Sequence, residues 1–180
     1  MDRDDGIRPD TTAEGLAKLK PAFKEDGTTT AGNASQVTDG AAAVLLMKRK
    51  KAQQLGLPIL GKWLSFGVAG VPPNIMGIGP AFAIPVALKK AGLTVQDVDI
   101  YEINEAFASQ CVYSFEKLGV PVQKVNPKGG AIALGHPLGC TGARQIATLL
   151  PELKRQGKRY GVISMCIGTG MGAAAVIERE

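Results

Sequence analysis

The sequence predicts a layered α/β fold. Three observations carry that reading: strand-like and helix-like segments alternate from Ile59 to the end, a glycine-rich turn interrupts the alternation only once before it resumes, and the two last apolar runs are separated only by Gly-Thr-Gly. A length of 180 residues allows one ordinary domain and leaves little room for a complete second one. With 23 Gly and 11 Pro, tight turns and close backbone approaches are expected throughout.

In chain order, residues 1–37 are polar, with only LAKLKPAF offering apolar periodicity, and read as irregular. GAAAVLLMK at 40–48 is an apolar run with the look of a buried strand, followed by a charged helix in RKKAQQL that stops at Gly-Leu-Pro. The basic KRKK at 48–51 reads as a solvated helix face, because neither aromatic residues nor a second basic cluster adjoins it. ILGKWLSFGVAGV then reads as strand, PAFAIPVALKKAG as helix, IYEIN as strand and EAFASQCVYSFEKLG as amphipathic helix. After the glycine-rich turn, PLGCTGARQIATLLPELKRQG is helical up to the neighbourhood of Pro151. Arg144 is the only charged residue in its 138–150 stretch, so that helix is expected to be covered on several sides. YGVISMCI and MGAAAVIE are buried strands, close enough to pair as a hairpin.

Composition narrows the function. Pro72, Pro73, Pro80 and Pro85 interrupt the most apolar region, so nothing reaches the roughly 18 uninterrupted apolar residues of a membrane span. The net charge of +5 is too mild to call for nucleic acid, but it favours an anionic, phosphorylated ligand. Three cysteines without metal-ligand spacing argue against a disulfide scaffold and for a reducing compartment, with no metal site. MDRDDGIRPDTT carries no apolar signal core, and the closing VIERE carries no peroxisomal tripeptide.

Four places can carry chemistry. His136, the single histidine, lies in GGAIALGHPLGCTGAR at an expected helix start, where backbone N–H groups and the helix dipole favour developing negative charge; it serves equally well as a cap or a packed ring. Cys166 closes an apolar strand before Gly168, Gly170 and Gly172, a setting for a proton-shuttling thiol or for an inert buried one. Cys111 and Cys140 read as packing residues. Asn104 in NEAFA is a plausible helix cap that could also hold a water or a substrate carbonyl at the mouth of a sheet, and Asn126 poses the same choice.

Taken in order, NEAFASQ, VNPKGGAIALGHPLGCTGAR and CIGTGMGAA resemble the three C-terminal signatures of the thiolase family. TAGNASQVTDGAAAVLL and GVPPNIMGIGPAFAIPVALKKAGL extend the likeness over essentially the whole chain, with wording nearest its peroxisomal 3-ketoacyl-CoA branch. The resemblance implies the αβαβα layered fold, with the helix after GHP lying between two sheets. It implies thiolytic cleavage of 3-ketoacyl-CoA by CoA in fatty-acid β-oxidation, with acyl-CoA and CoA as partners, no cofactor beyond CoA as substrate, a homodimer and a peroxisomal location. By the same likeness, His136 activates a nucleophilic cysteine and lines one oxyanion hole, and Asn104 holds a water in that hole. Cys166 is the second catalytic cysteine, Gly168 donates its N–H to the other hole, and Ser35, Ala31, Phe107 and Arg8 contact CoA.

One departure outweighs these matches. Thiolases carry their acyl-accepting cysteine in the first half, in a Cys-Ser/Ala-Ser/Ala-Gly context, and neither SQCVYS around Cys111 nor LGCTGA around Cys140 has that surrounding. The resemblance therefore divides the chain into the end of a loop region at 1–37, a remnant of the N-terminal domain at 38–58 and a complete C-terminal domain at 59–180. Two function classes follow: part of an acyltransferase that is inactive alone, or a noncatalytic fragment that dimerises or binds CoA.

Overall fold

A computed structural model describes residues 6–180; the charged start MDRDD lies outside the described residues. Helix α1 (Ala13–Ala17) opens on Thr12, whose hydroxyl accepts the Gly15 N–H at 3.0 Å. Next come α2 (Arg49–Gln54), strand β1 (Gly61–Gly70) and a 3-10 turn (Pro73–Ile78) that leads into α3 (Gly79–Ala91). Strand β2 (Ile100–Ile103), α4 (Ala108–Leu118), the short α5 (Ala131–Leu134), α6 (Thr141–Arg155), β3 (Tyr160–Ile167) and β4 (Met171–Arg179) complete the order.

The strands form one mixed sheet in the order β1-β4-β3-β2. β3 and β4 are the expected antiparallel hairpin, β1 pairs antiparallel with β4, and β2 runs parallel to β3. Helices cover both faces. Ile84 and Leu88 of α3 and Cys111 of α4 meet Tyr101, Ile103, Val162 and Val176 on one face. Ile146, Leu149 and Leu153 of α6 meet Ile100, Ile163 and Ile177 on the other. Covering both sides explains why β4 reads as an unbroken apolar GAAAVI rather than an alternating strand.

Small residues set the distance between α3 and the hairpin. A Cβ added at Gly172 would lie 2.2 Å from the Gly79 carbonyl carbon and oxygen, so backbone packs on backbone there. Gly172→Ala is expected to lower unfolding stability by about 1–3 kcal/mol, measured by chemical denaturation. An unchanged midpoint would mean that the first turn of α3 can move aside.

Two expectations need correction. Residues 40–48 form no strand: they run without a ladder, with Leu45 76% and Leu46 68% exposed, and only Val44 packs onto the α6 cluster. An apolar run becomes a strand only when it pairs with an edge, and residues 40–48 pair with neither edge of the sheet. Helix α6 starts at Thr141 rather than near Leu138, and it continues through Pro151 to Arg155. The carbonyl that Pro151 leaves without an N–H belongs to Ala147, which is exposed, so water can serve it. Bare apolar surface lies beside α6. By register, Trp63, Phe66 and Val68 stand opposite Ile177, Ala175 and Ala173 on the α6 face of the sheet, yet all three are exposed.

Candidate active site

The C-terminal ends of the parallel pair β2 and β3 carry Asn104, with His136 against it, and Cys166, at the end of an α/β sheet where ligands bind. Asn104 directly follows β2, and its N–H extends the ladder by donating to the Ser164 carbonyl at 2.9 Å. Two residues beyond Ser164 lies Cys166, near the end of β3. Asn104 is fully buried, and its amide Nδ2 sits 3.2 Å from His136 Nε2. It is not a helix cap, because α4 begins four residues later, at Ala108 behind Phe107. The Gln110 amide donates to the Asn104 carbonyl at 2.7 Å and fixes the bend between strand and helix.

His136 is held from two sides. Its N–H donates to the Gln36 carbonyl at 3.0 Å, and its Nδ1 lies 2.7 Å from the Thr141 hydroxyl in the first turn of α6. The ring therefore stands five residues ahead of the helix and touches a side chain of its first turn, rather than sitting at the helix start as expected. Burial, aided by the Arg144 charge, holds the imidazole below its ordinary pKa, which keeps it neutral near pH 7. That Arg144 is paired at 2.9 Å with Glu102, a fully buried carboxyl of β2 pushed up to about 7 because burial outweighs the neighbouring guanidinium. His136 is accordingly expected to titrate below 6.5 by NMR, and Arg144→Gln should raise that value. A titration at or above 6.5 in the unaltered chain would contradict the buried, cation-flanked placement.

Other polar residues build the scaffold. Gln145 donates to the carbonyls of Glu102 and Ser164 at 2.9 and 3.1 Å, clasping β2 to β3 beneath the site. Glu105 accepts from the Asn126 amide at 2.8 Å and from the Ile132 N–H at 3.2 Å, placing a carboxylate at the first turn of α5. A Cβ at Gly130 would lie 2.1–2.3 Å from that carboxylate, so the second glycine of KGG is what lets Glu105 in. Asn126 is neither a cap nor a ligand holder: it accepts from the Ile103 N–H and donates to the Ile103 carbonyl at 2.9 and 2.8 Å, standing in for a neighbouring strand.

Of the remaining candidates, Ser35 and Phe107 come together. The Ser35 N–H and hydroxyl both donate to the Ala106 carbonyl, at 3.0 and 3.1 Å, and residues 34 and 107 form a bridge. The Phe23 ring meets Phe107 edge-on at 5.9 Å. Ala31 and Arg8 are exposed, in the turn ahead of Ser35 and ahead of α1 respectively. Gly168 is exposed in the hairpin turn, where a Cβ would meet nothing within 4 Å, whereas Gly170 and Gly172 pack closely against other backbone of the chain. Burial raises the Cys166 thiol and pushes Cys111 up to about 12, which fits the inert reading of Cys111. Among the described residues no group of three His, Cys, Asp or Glu could hold a metal ion, and no helix is long and apolar enough to cross a membrane.

A neutral imidazole against a buried amide, at the sheet end that also carries a protonated thiol, is suited to moving protons and to stabilising an oxyanion. Residues 57–179 match the family model for the thiolase C-terminal domain, and residues 1–50 match the model for the thiolase N-terminal domain. The chain belongs to the thiolase family.

Among curated thiolases, the peroxisomal 3-ketoacyl-CoA thiolase of Homo sapiens is 76% identical over 177 residues, covering 98% of this chain and 42% of that protein. The Yarrowia lipolytica peroxisomal enzyme is 64% identical over 180 residues, 100% of this chain and 44% of that protein. The solved dimeric peroxisomal thiolase of Saccharomyces cerevisiae is 62% identical with a TM-score of 0.91, over 98% of this chain and 44% of that one. A human mitochondrial 3-ketoacyl-CoA thiolase solved in complex with CoA is 47% identical with a TM-score of 0.92, over 100% of this chain and 46% of that one. The chain thus spans less than half the length of the thiolases it matches.

Sequence reasoning missed Glu102, Glu105, Thr141, Arg144 and Gln145. A carboxylate inside the apolar strand IYEI was the one available signal, because a charge at such a position needs a buried partner.

Proposed function

We propose that this chain supplies the proton-transfer half of a thiolase active site and acts with an N-terminal thiolase half in the thiolytic cleavage of 3-ketoacyl-CoA by CoA. The observation that carries this reading is the direct contact of Asn104 with His136 at the sheet end that also bears Cys166. In this division of labour the cysteine of the other half attacks the 3-keto carbon and receives the shortened acyl group. His136 Nε2 takes that thiol's proton, and with the Asn104 amide, which orients a water, it faces the resulting oxyanion. Cys166 gives a proton to the departing acetyl carbon and then takes one from the incoming CoA sulfur, while the Gly168 N–H donates to the second oxyanion. Ser35, Ala31, Phe107 and Arg8 face the CoA moiety, residues 59–180 are the C-terminal domain, and the working assembly is dimeric and peroxisomal. The family works without a resident cofactor, CoA being a substrate.

Mixing the chain with an N-terminal thiolase half and following 3-ketoacyl-CoA thiolysis tests the reading. Turnover dependent on both partners supports it, and a formed but inactive complex sinks it. The bare Trp63, Phe66 and Val68 face favours such a partner. At about 25 cal/mol per Å², each roughly 100 Å² of apolar surface left in water forfeits about 2.5 kcal/mol. Alone, the chain is therefore expected to self-associate in the ultracentrifuge and to bind a hydrophobic dye, and to lose both properties on mixing with the N-terminal half. A cooperatively melting monomer that ignores the dye would mean that the face needs no cover.

A further inference from the structure

The proton arrangement around His136 follows from what each neighbour can give. With the Asn104 amide turned so that Nδ2 lies 3.2 Å from Nε2, its N–H finds a lone pair there, and the contacts on the other ring nitrogen test that orientation. The Thr141 hydroxyl has a single proton and two neighbours, the Pro137 carbonyl at 3.1 Å and His136 Nδ1 at 2.7 Å. The carbonyl can only accept. One arrangement satisfies all three contacts: Nδ1–H donates to the Thr141 oxygen, the Thr141 O–H donates to the Pro137 carbonyl, and the Asn104 N–H donates to Nε2. The reverse tautomer would set an Nε2–H against the Asn104 N–H and leave Nδ1 and the carbonyl to compete for one hydroxyl proton.

Thr141 is well placed to enforce this choice. It is 1% exposed, it lies in the first turn of α6, and that turn is itself closed onto Pro137 by the Cys140 and Thr141 N–H groups at 2.8 and 3.0 Å. The residue that reads the ring nitrogen and the carbonyl that receives its proton are thus fixed within one five-residue loop.

We infer that Thr141 is a positioning residue that locks His136 as the Nδ1–H tautomer and so directs the Nε2 lone pair at the site. The inference deepens the proposed function, since a base that takes a thiol proton must present that lone pair. Its readout does not depend on turnover.

His136 is the only histidine in the sequence, so a chain labelled with 15N-histidine yields one imidazole spectrum. Solid-state 15N spectra read the tautomer whether the chain is monomeric, self-associated or bound to an unlabelled N-terminal half. Above its titration, the unaltered chain should show a protonated Nδ1 and an unprotonated Nε2. Thr141→Val should lose that single state, with Nε2 becoming protonated in a substantial fraction, and Thr141→Ser should restore it. A protonated Nε2 in the unaltered chain overturns the inference even if Thr141→Val fails to fold, and so does an unchanged spectrum in a folded Thr141→Val chain. The two proposals separate cleanly. An inactive complex with the Nδ1–H ring refutes the thiolase role alone, whereas an active complex with the Nε2–H ring refutes only the part given to Thr141.

Discussion

A protein consisting of these 180 residues alone turns over no acetoacetyl-CoA and no longer 3-ketoacyl-CoA; that is the largest effect the account predicts. Covalent catalysis divides one difficult step into two, and its first requirement is a thiolate that can receive the acyl group. Cys111 fails as that thiolate because it is buried in α4 with its pKa pushed up to about 12. Cys140, ahead of α6, lacks the surroundings of the thiolase nucleophile, and Cys166 is the proposed proton carrier, raised by burial. Proton-transfer groups without a nucleophile should leave only background hydrolysis. Turnover by the isolated chain that disappears in Cys111→Ala or Cys140→Ala would overturn this and give that thiol the missing role.

The second large effect appears once the N-terminal half is present. His136→Ala and Cys166→Ala are each expected to lower turnover by about two to four orders of magnitude, the usual scale for removing a positioned acid or base. Asn104→Ala should cost less, because water can replace part of an amide that orients another water, whereas nothing replaces the lost proton carrier. The ordering is as informative as the size. Near-normal steady-state rates for Cys166→Ala would return that thiol to a packing role, and a larger loss for Asn104→Ala than for His136→Ala would mean that the amide touches the reacting atoms itself.

Much of this was legible in the sequence, for a physical reason that differs by element. Strands β2, β3 and β4 and helix α3 announce themselves because their apolar residues are buried by helices or strands of the same chain. The 40–48 run misleads because its pattern expects a partner that this chain does not supply, and Leu45 and Leu46 stand exposed in consequence. Asn104 and His136 were legible as a pair only through family likeness. Their 3.2 Å contact joins positions 32 residues apart, and no local spacing predicts it. Glu102 with Arg144 and Glu105 with Gly130 stayed hidden for the same reason: each is a long-range fit, and a glycine chosen to admit a carboxylate looks in sequence like any turn glycine.

If this chain moves protons while another half carries the acyl group, mass spectrometry of the mixed halves, quenched during reaction with 3-ketoacyl-CoA, locates the acyl group on the other half. The expected result is an acyl adduct on the N-terminal half and no mass increase on the 180-residue chain. An adduct on Cys111, Cys140 or Cys166 would contradict it.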